Sequence, residues 1–238
     1  MLNIIICTYN PGQQLRGCLN SISSQKTSDL KLYIFDGGST DDSIAIINEY
    51  SGTVDTYLSQ TDSGVYDAMN KVSNLISHGF ILFLGADDRL MPGAVDKISS
   101  ELNLLKSENV MIYGDVYRPC KNILYDGSFT LKKLIKKNIC QQAIIYPCSA
   151  FSKYKFNLDY PINADHLFNI SIFCDNTFIK KYIPVCISYY EDINDGISRN
   201  KSDENLLNEI KSLCLYKKKY MEYLYASILD IKRNFFNR

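Results

Sequence analysis

Five short apolar runs, each followed by a polar cluster and a helical pattern, restrict this chain to a narrow set of folds. Residues 2–8 form a continuous apolar run, too short for a helix and suited to a strand buried on both faces. Residues 13–25 carry Leu15, Cys18, Leu19 and Ile22 at the i, i+3, i+4, i+7 spacing of a helix with one buried face. Residues 31–35 read as a second strand, with a short helix through Tyr50, and residues 54–58 as a third. Residues 65–77 place Ala68, Met69, Val72, Leu75 and Ile76 at helical spacing, and residues 80–84 give a fourth strand. Met91-Pro-Gly opens a helix to about Lys106, before a fifth strand at 110–113. Alternation of this kind predicts an α/β fold built from βαβ units: a mostly parallel central sheet with helices on both faces.

Composition narrows the class further. A chain of 238 residues with 46% hydrophobic and 22% charged residues fits one soluble domain or one domain with a small annex. Lys+Arg and Asp+Glu are 26 each, so no bulk charge draws it to nucleic acid. No stretch approaches the ~20 apolar residues of a membrane span. The start, Met1-Leu-Asn-Ile-Ile-Ile, lacks a basic n-region and reads as a strand rather than a signal peptide. The eight cysteines are scattered without C-x-x-C spacing, which argues against zinc and for the cytoplasm. After about Tyr117 the pattern changes. Residues 119–125 and 142–146 look like further strands, separated by Leu131-Lys-Lys-Leu-Ile-Lys-Lys137. A helix is expected over 164–175, strands over 178–182 and 186–190, and helices from Ser202 onward.

Polar clusters fall where strands end: Thr8-Tyr9-Asn10, Asp36-Gly-Gly-Ser39, and Gly85-Ala-Asp-Asp88. In an open α/β sheet, ligands bind outside the carboxyl ends of the strands. Asp87 and Asp88 are adjacent carboxylates that repel each other, which invites a cation; oxygen-only ligation suits Mg²⁺ or Mn²⁺. The plainer reading is a solvated acidic helix start. Asp36-Gly-Gly-Ser-Thr-Asp-Asp42 likewise reads as a turn with a helix cap, or as a loop that brings Asp36 to a ligand.

Taken in order, Thr8-Tyr9-Asn10-Pro11, Asp36-Gly-Gly-Ser-Thr-Asp41, Asp62-Ser-Gly-Val-Tyr-Asp-Ala-Met-Asn-Lys71 and Phe83-Leu-Gly-Ala-Asp-Asp88 resemble the family 2 glycosyltransferases, inverting enzymes of the GT-A fold that use nucleotide sugars. The resemblance is strong over about residues 1–115 and weaker over 138–200, and the third motif most resembles the branch that builds O-antigen and capsule polysaccharides. It implies that Thr8, Tyr9 and Asn10 line the nucleotide base, and that Asp36 hydrogen-bonds it. It sets Asp62 and Asp67 beside the donor and Lys71 near the uridine of a UDP-sugar. Asp87 is implied toward ribose and metal, and Asp88 on the Mn²⁺ or Mg²⁺ that grips the diphosphate. Relatives often carry a further Asp where this chain has Gly85, and His-Gln where it has Gln141-Gln142. Residues 1–117 would then be the donor half, 118–200 the acceptor and catalytic half, and 201–238 basic amphipathic helices. Arg199, after Asp195-Gly-Ile-Ser198, is expected to meet the diphosphate or to lie in a solvated loop.

Inverting transfer needs a carboxylate to take the proton of the attacking hydroxyl. Tyr160-Pro-Ile-Asn-Ala-Asp-His-Leu-Phe168 resembles the segment that bears it, which selects Asp165; an ordinary Asp, with pKa about 3.9, is ionised at neutral pH. The alternative for Asp165 is a plain helix N-terminal carboxylate. His166 and His78 are expected to be structural. The tail sets Tyr216, Tyr220, Tyr223, Leu224, Ile228 and Ile231 against flanking lysines. That pattern suits an anionic membrane surface, packing on its own domain, or a second copy of the chain. The resemblance implies a saccharide acceptor on a polyprenyl diphosphate and a peripheral position on the inner face of the cytoplasmic membrane. The competing classes are a catalytically silent nucleotide-sugar binder, which would not need Asp165, and a nucleotidyltransferase, which would want a Gly- and Arg-rich phosphate loop where Tyr9-Asn-Pro-Gly-Gln-Gln14 stands.

Overall fold

The computed structural model describes residues 1–190 and 203–236. Among them nine strands form one sheet: β1 (Leu2–Thr8), β2 (Leu30–Asp36), β3 (Thr56–Ser59), β4 (Phe80–Phe83), β5 (Arg89–Leu90), β6 (Val110–Arg118), β7 (Ile123–Tyr125), β8 (Ile144–Pro147) and β9 (Ile179–Tyr189). The helices are α1 (Gln14–Ser23), α2 (Ser43–Glu49), α3 (Val65–Ser73), α4 (Ala94–Asn103), α5 (Leu131–Lys136), α6 (Cys148–Lys153), α7 (Ala164–Cys174), α8 (Leu206–Tyr216) and α9 (Tyr220–Phe236). The sheet order is β3-β2-β1-β4-β8-β6-β9-β5, with β7 paired to β6. β3, β2, β1 and β4 are mutually parallel, and β8 runs antiparallel between β4 and β6.

Alternate residues of the strands feed two cores. Ile4, Ile6, Leu32, Leu82 and Ile145 pack with α1, α2 and α4 on one face. Ile5, Phe83, Tyr113 and Tyr146 pack with α3, α6 and α7 on the other. This is the period-2 side-chain alternation of a strand buried on both faces. The second core is aromatic: Phe168 lies 4.9 Å from Phe151 and 4.7 Å from Phe156, ring centre to ring centre. These contacts fix α7, which is apolar around its circumference and buried accordingly.

Several expected boundaries shift, each for a physical reason. Leu75 was placed on the apolar face of a helix, but α3 ends at Ser73 and Leu75 is 60% exposed. The strand expected over 119–125 begins with a 3₁₀ turn at Pro119–Lys121, because proline has no N–H for the ladder. The strand expected from Gln142 starts at Ile144, after a second such turn at Gln141–Ala143. The two strands expected over 178–190 are one, β9, running through Pro184. It tolerates that proline because the β6–β9 register slips between Tyr113 and Asp115, where no ladder bond is required. Gly114 lies at this slip, and a Cβ there would strike Val185 O and come within 2.8 Å of Ile187 Cδ1. Gly114→Ala is therefore expected to lower the unfolding free energy by about 1–3 kcal/mol, the usual cost of overpacking; chemical denaturation measures it.

Candidate active site

The carboxyl ends of β1, β2 and β3 lie side by side, with Thr8 opposite Asp36 and Asp36 opposite Ser59. Asp36 is fully buried. Its carboxylate accepts from Gly38 N (3.2 Å), Ser39 N (3.0 Å), Ser59 Oγ (3.0 Å) and the Ser39 hydroxyl. Asp36, expected to hydrogen-bond the base, lies beneath the loop that follows it and holds that loop in shape. That loop is stitched to the one after β1. Asn10 N donates to Ser39 Oγ (2.8 Å), Thr40 N to Asn10 Oδ1 (2.8 Å) and Gly12 N to Asp41 Oδ2 (2.8 Å). Thr8 Oγ1 is buried without a partner, whereas Tyr9 and Asn10 are exposed, Tyr9 by 65%. Tyr9 and Asp62 both approach Gly37.

The loop before α3 is held by its own acids. Asp62 Oδ1 accepts from Gly64 N (2.8 Å), and Asp67 from Ser63 N (2.9 Å). Lys71 pairs with Asp67 at 2.9 Å and donates to Thr61 O at 3.1 Å. The Ser63 N–H, with Lys71 beside it, holds the Asp67 carboxyl below its ordinary range. Thus Tyr9, Asn10, Asp62, Asp67 and Lys71 belong to one connected rim beyond the strand ends.

Asp87 and Asp88 converge over Gly85. A Cβ on Gly85 would lie 2.6 Å from Asp88 Oδ2 and 2.8 Å from Asp87 Oδ1. The missing side chain is therefore the space into which both carboxylates turn. Among the described residues no cluster of three or more His, Cys, Asp or Glu forms a cation cage. A converging oxygen pair nevertheless fits Mg²⁺ or Mn²⁺, which bind through one or two carboxylates with phosphates and water completing the shell. Asp88 is buried and accepts from Gln142 Nε2 at 2.7 Å.

Asp165 is the single residue of α7 that is not buried. Its Oδ1 accepts from Tyr66 OH (2.9 Å) and from His166 N (2.8 Å), and its Oδ2 from Asn138 Nδ2 (2.7 Å). Behind Asn138 the chain continues: Asn169 Nδ2 donates to Asn138 Oδ1 (2.9 Å) and Tyr146 OH to Asn169 Oδ1 (2.8 Å). Burial pushes the Asp165 carboxyl up to about 6, against the hydrogen bonds from Tyr66, His166 N–H and Asn138 that favour its ionised form. His166 turns away, as expected of a structural histidine, with Nε2 at 2.5 Å from Leu134 O; burial lowers its pKa, so the ring is neutral and donates.

Two connections reach Asp165, the first of them from the acidic pair. Residues 138–142 touch both, through Asn138 on Asp165 and Gln142 on Asp88. Between them the half-buried Cys140 thiol is raised to about 12, mainly by desolvation, which outweighs the lowering effect of Arg118 and is helped by the charges of Asp88 and Asp165. The second connection is Tyr66, which follows the Asp62 loop and reaches Asp165. Arg199 and the 195–198 turn lie outside the described residues. Tyr66, Asn138 and Asn169 join the site although the sequence motifs do not single them out. Tyr66 lies inside a quoted motif, and a phenol on the apolar face of a helix needs a partner, a signal that was available.

A sheet of mainly parallel strands with acidic loops at the strand ends and helices on both faces is the GT-A fold of sugar transferases. The chain belongs to glycosyl transferase family 2, whose model matches residues 3–159. It is 35% identical over 216 residues, 88% of this chain and 84% of the relative, to a PGL/p-HBAD biosynthesis glycosyltransferase of Mycobacterium bovis (strain BCG / Pasteur 1173P2). The S. aureus TarS 1-349 structure in complex with UDP-GlcNAc shares the fold at TM-score 0.74 and 14% identity, over 90% of this chain and 65% of that one. The mannosyltransferase PcManGT from Pyrobaculum calidifontis, in complex with GDP-Man and Mn²⁺, matches at TM-score 0.63 and 13% identity, over 95% of this chain and 73% of that one.

Proposed function

We propose that this chain is an inverting, metal-dependent transferase that moves a hexose from a UDP-sugar to a saccharide acceptor carried on a polyprenyl diphosphate, in O-antigen or capsule assembly. The carrying observation is Asp165: the one position of α7 that is not fully buried is a carboxylate, anchored from behind and tied through residues 138–142 to Asp88 of the acidic pair. The acceptor hydroxyl attacks the anomeric carbon as the bond from that carbon to the diphosphate oxygen breaks. The electron pair leaves on the diphosphate, and Asp165 takes the hydroxyl proton. Asp87 and Asp88 would hold Mg²⁺ or Mn²⁺, which supplies positive charge to the departing diphosphate when bound. Tyr9 and Asn10 line the nucleotide, with Asp62, Asp67 and Lys71 around it; Asp36 shapes their loop.

UDP and a divalent metal are supported by the ligands of the fold relatives, UDP-GlcNAc in TarS and Mn²⁺ in PcManGT. A lipid-linked acceptor is supported by the tail. Tyr220, Met221, Leu224 and Ile228 are all more than half exposed along one side of α9, close in sequence to Lys217, Lys218 and Lys219. Apolar ridges flanked by lysine bind anionic membrane surfaces. No helix among the described residues is long and apolar enough to cross a membrane.

Nucleotide release from a panel of UDP-, dTDP- and GDP-hexoses tests the reading. Slow, chelator-sensitive hydrolysis of a UDP-hexose is expected; binding to none of the donors would overturn it. The raised Asp165 pKa adds a second expectation. A general base works only when ionised, so kcat/KM is flat above pH 7 and falls about tenfold per pH unit below about 6. A rate profile still flat at pH 5 would remove Asp165 from that role.

A further inference from the structure

A cavity of about 410 Å³ opens where α8 and α9 meet α5 and the start of α7. Its wall is aliphatic: Ile135, Leu206, Leu207, Ile210 and Leu229. It falls in the size range of small-molecule sites, which are mostly apolar with a few placed polar groups. Those groups here are Asn138, which donates to Asp165 Oδ2 at 2.7 Å, and His166, the neighbour of Asp165 in the chain. The cavity thus adjoins the candidate base through Asn138 and His166.

Its charge is one-sided. Lys136 and Lys137, at the end of α5, both line it. Lys137 is engaged by Asp126 and lies 4.5 Å from the Tyr125 ring centre. Lys136 is exposed and pairs with no carboxylate among the described residues. An aliphatic wall beside a spare ammonium complements an aliphatic chain that ends in a phosphate. A purely polar oligosaccharide would leave that wall wet. The start of α8 is fixed for this purpose: Asp203 Oδ2 accepts from Asn163 N at 2.8 Å, and Asn163 Oδ1 accepts from Asp203 N at 3.0 Å, so Leu206 and Leu207 are held against α7.

We infer that this cavity is the subsite for the aglycone of the acceptor, an aliphatic phosphate to which the accepting sugar is attached. The inference rests on the transferase reading and adds the residues that recognise the lipid end. The walls hold the first aliphatic carbons, Lys136 neutralises the phosphate, and the attached sugar extends toward Asp165.

Titration calorimetry of the full chain with n-decyl phosphate below its micellar concentration tests this, with methyl phosphate and UDP plus Mn²⁺ measured alongside. Wild type is expected to bind decyl phosphate and not methyl phosphate. Leu206→Trp and Leu207→Trp, which fill the cavity from partly exposed positions, are expected to weaken decyl phosphate at least tenfold and to leave UDP binding within twofold. Lys136→Gln is expected to weaken decyl phosphate several-fold without affecting octyl glucoside, and Leu224→Asp, on the outer ridge of α9, to change neither. UDP binding with no decyl phosphate binding, or with binding undiminished in both tryptophan variants, would overturn the subsite and leave the transferase reading intact. Equal loss of both probes in Lys136→Gln would overturn the phosphate assignment. Absence of UDP and nucleotide-sugar binding would overturn the reading beneath and this inference with it.

Discussion

Asp165→Asn is expected to lower sugar transfer and donor hydrolysis by about 10²–10⁴-fold, the usual contribution of a positioned general base, while UDP binding stays within twofold of wild type. The fold has the means to survive the change. The new amide keeps an oxygen for Tyr66 OH and His166 N–H, but turns its NH₂ toward Asn138 Nδ2, donor against donor. Asn138 and Asn169 relieve this by reversing their amides in turn, because each link runs amide to amide as far as Tyr146 OH, which can accept. The variant should therefore unfold within about 1–2 kcal/mol of wild type, the scale of one buried hydrogen bond. A loss of rate with intact folding and UDP affinity assigns the effect to proton removal. A variant that keeps wild-type turnover would move the base to another carboxylate.

Gly85→Asp should impair the enzyme although it adds a carboxylate where relatives often have one. Asp87 and Asp88 have turned into the space above Gly85, and a Cβ there would lie 2.8 and 2.6 Å from their oxygens. Something must shift, and what shifts is the acidic pair itself. Asp88 would also pull away from Gln142, its donor at 2.7 Å. With the pair displaced from its converging geometry, Mn²⁺-supported UDP binding should weaken about tenfold, or about 1.4 kcal/mol. Calorimetry with and without Mn²⁺ reads this directly, independently of turnover. Tighter metal-supported binding in Gly85→Asp would show that the pair is short of a ligand rather than complete.

The parallel half of the fold was open to reading because its signals are local. Residues 2–8 needed only their own apolar run to be a central strand, and Leu15, Cys18, Leu19 and Ile22 are buried as their spacing requires. The second half was harder. β8 enters the sheet antiparallel between β4 and β6, a pairing of distant segments that no local pattern encodes. β9 crosses a proline because its partner slips register at Gly114, a fact about two strands together.

The site divides in the same way. Asp88 and Asp165 stand in recognisable motifs, but what orients them does not. Asn138 and Asn169 are 31 residues apart and meet only after α7 docks on the aromatic core. Asp36 is harder to read. A carboxylate at a strand tip in a Gly-Ser loop suits a ligand, and it equally suits the backbone N–H groups beside it, which took it here. Where relatives often carry an Asp, Gly85 leaves the space into which Asp87 and Asp88 turn.

The central claim, displacement in one step with Asp165 as base, is tested most directly by the anomeric form of the sugar first released. Real-time proton NMR of the hexose freed from an α-linked UDP-hexose, recorded faster than mutarotation, should show the β anomer appearing first in wild type. Release of the α anomer first would mean retention at the anomeric carbon, and would contradict the account.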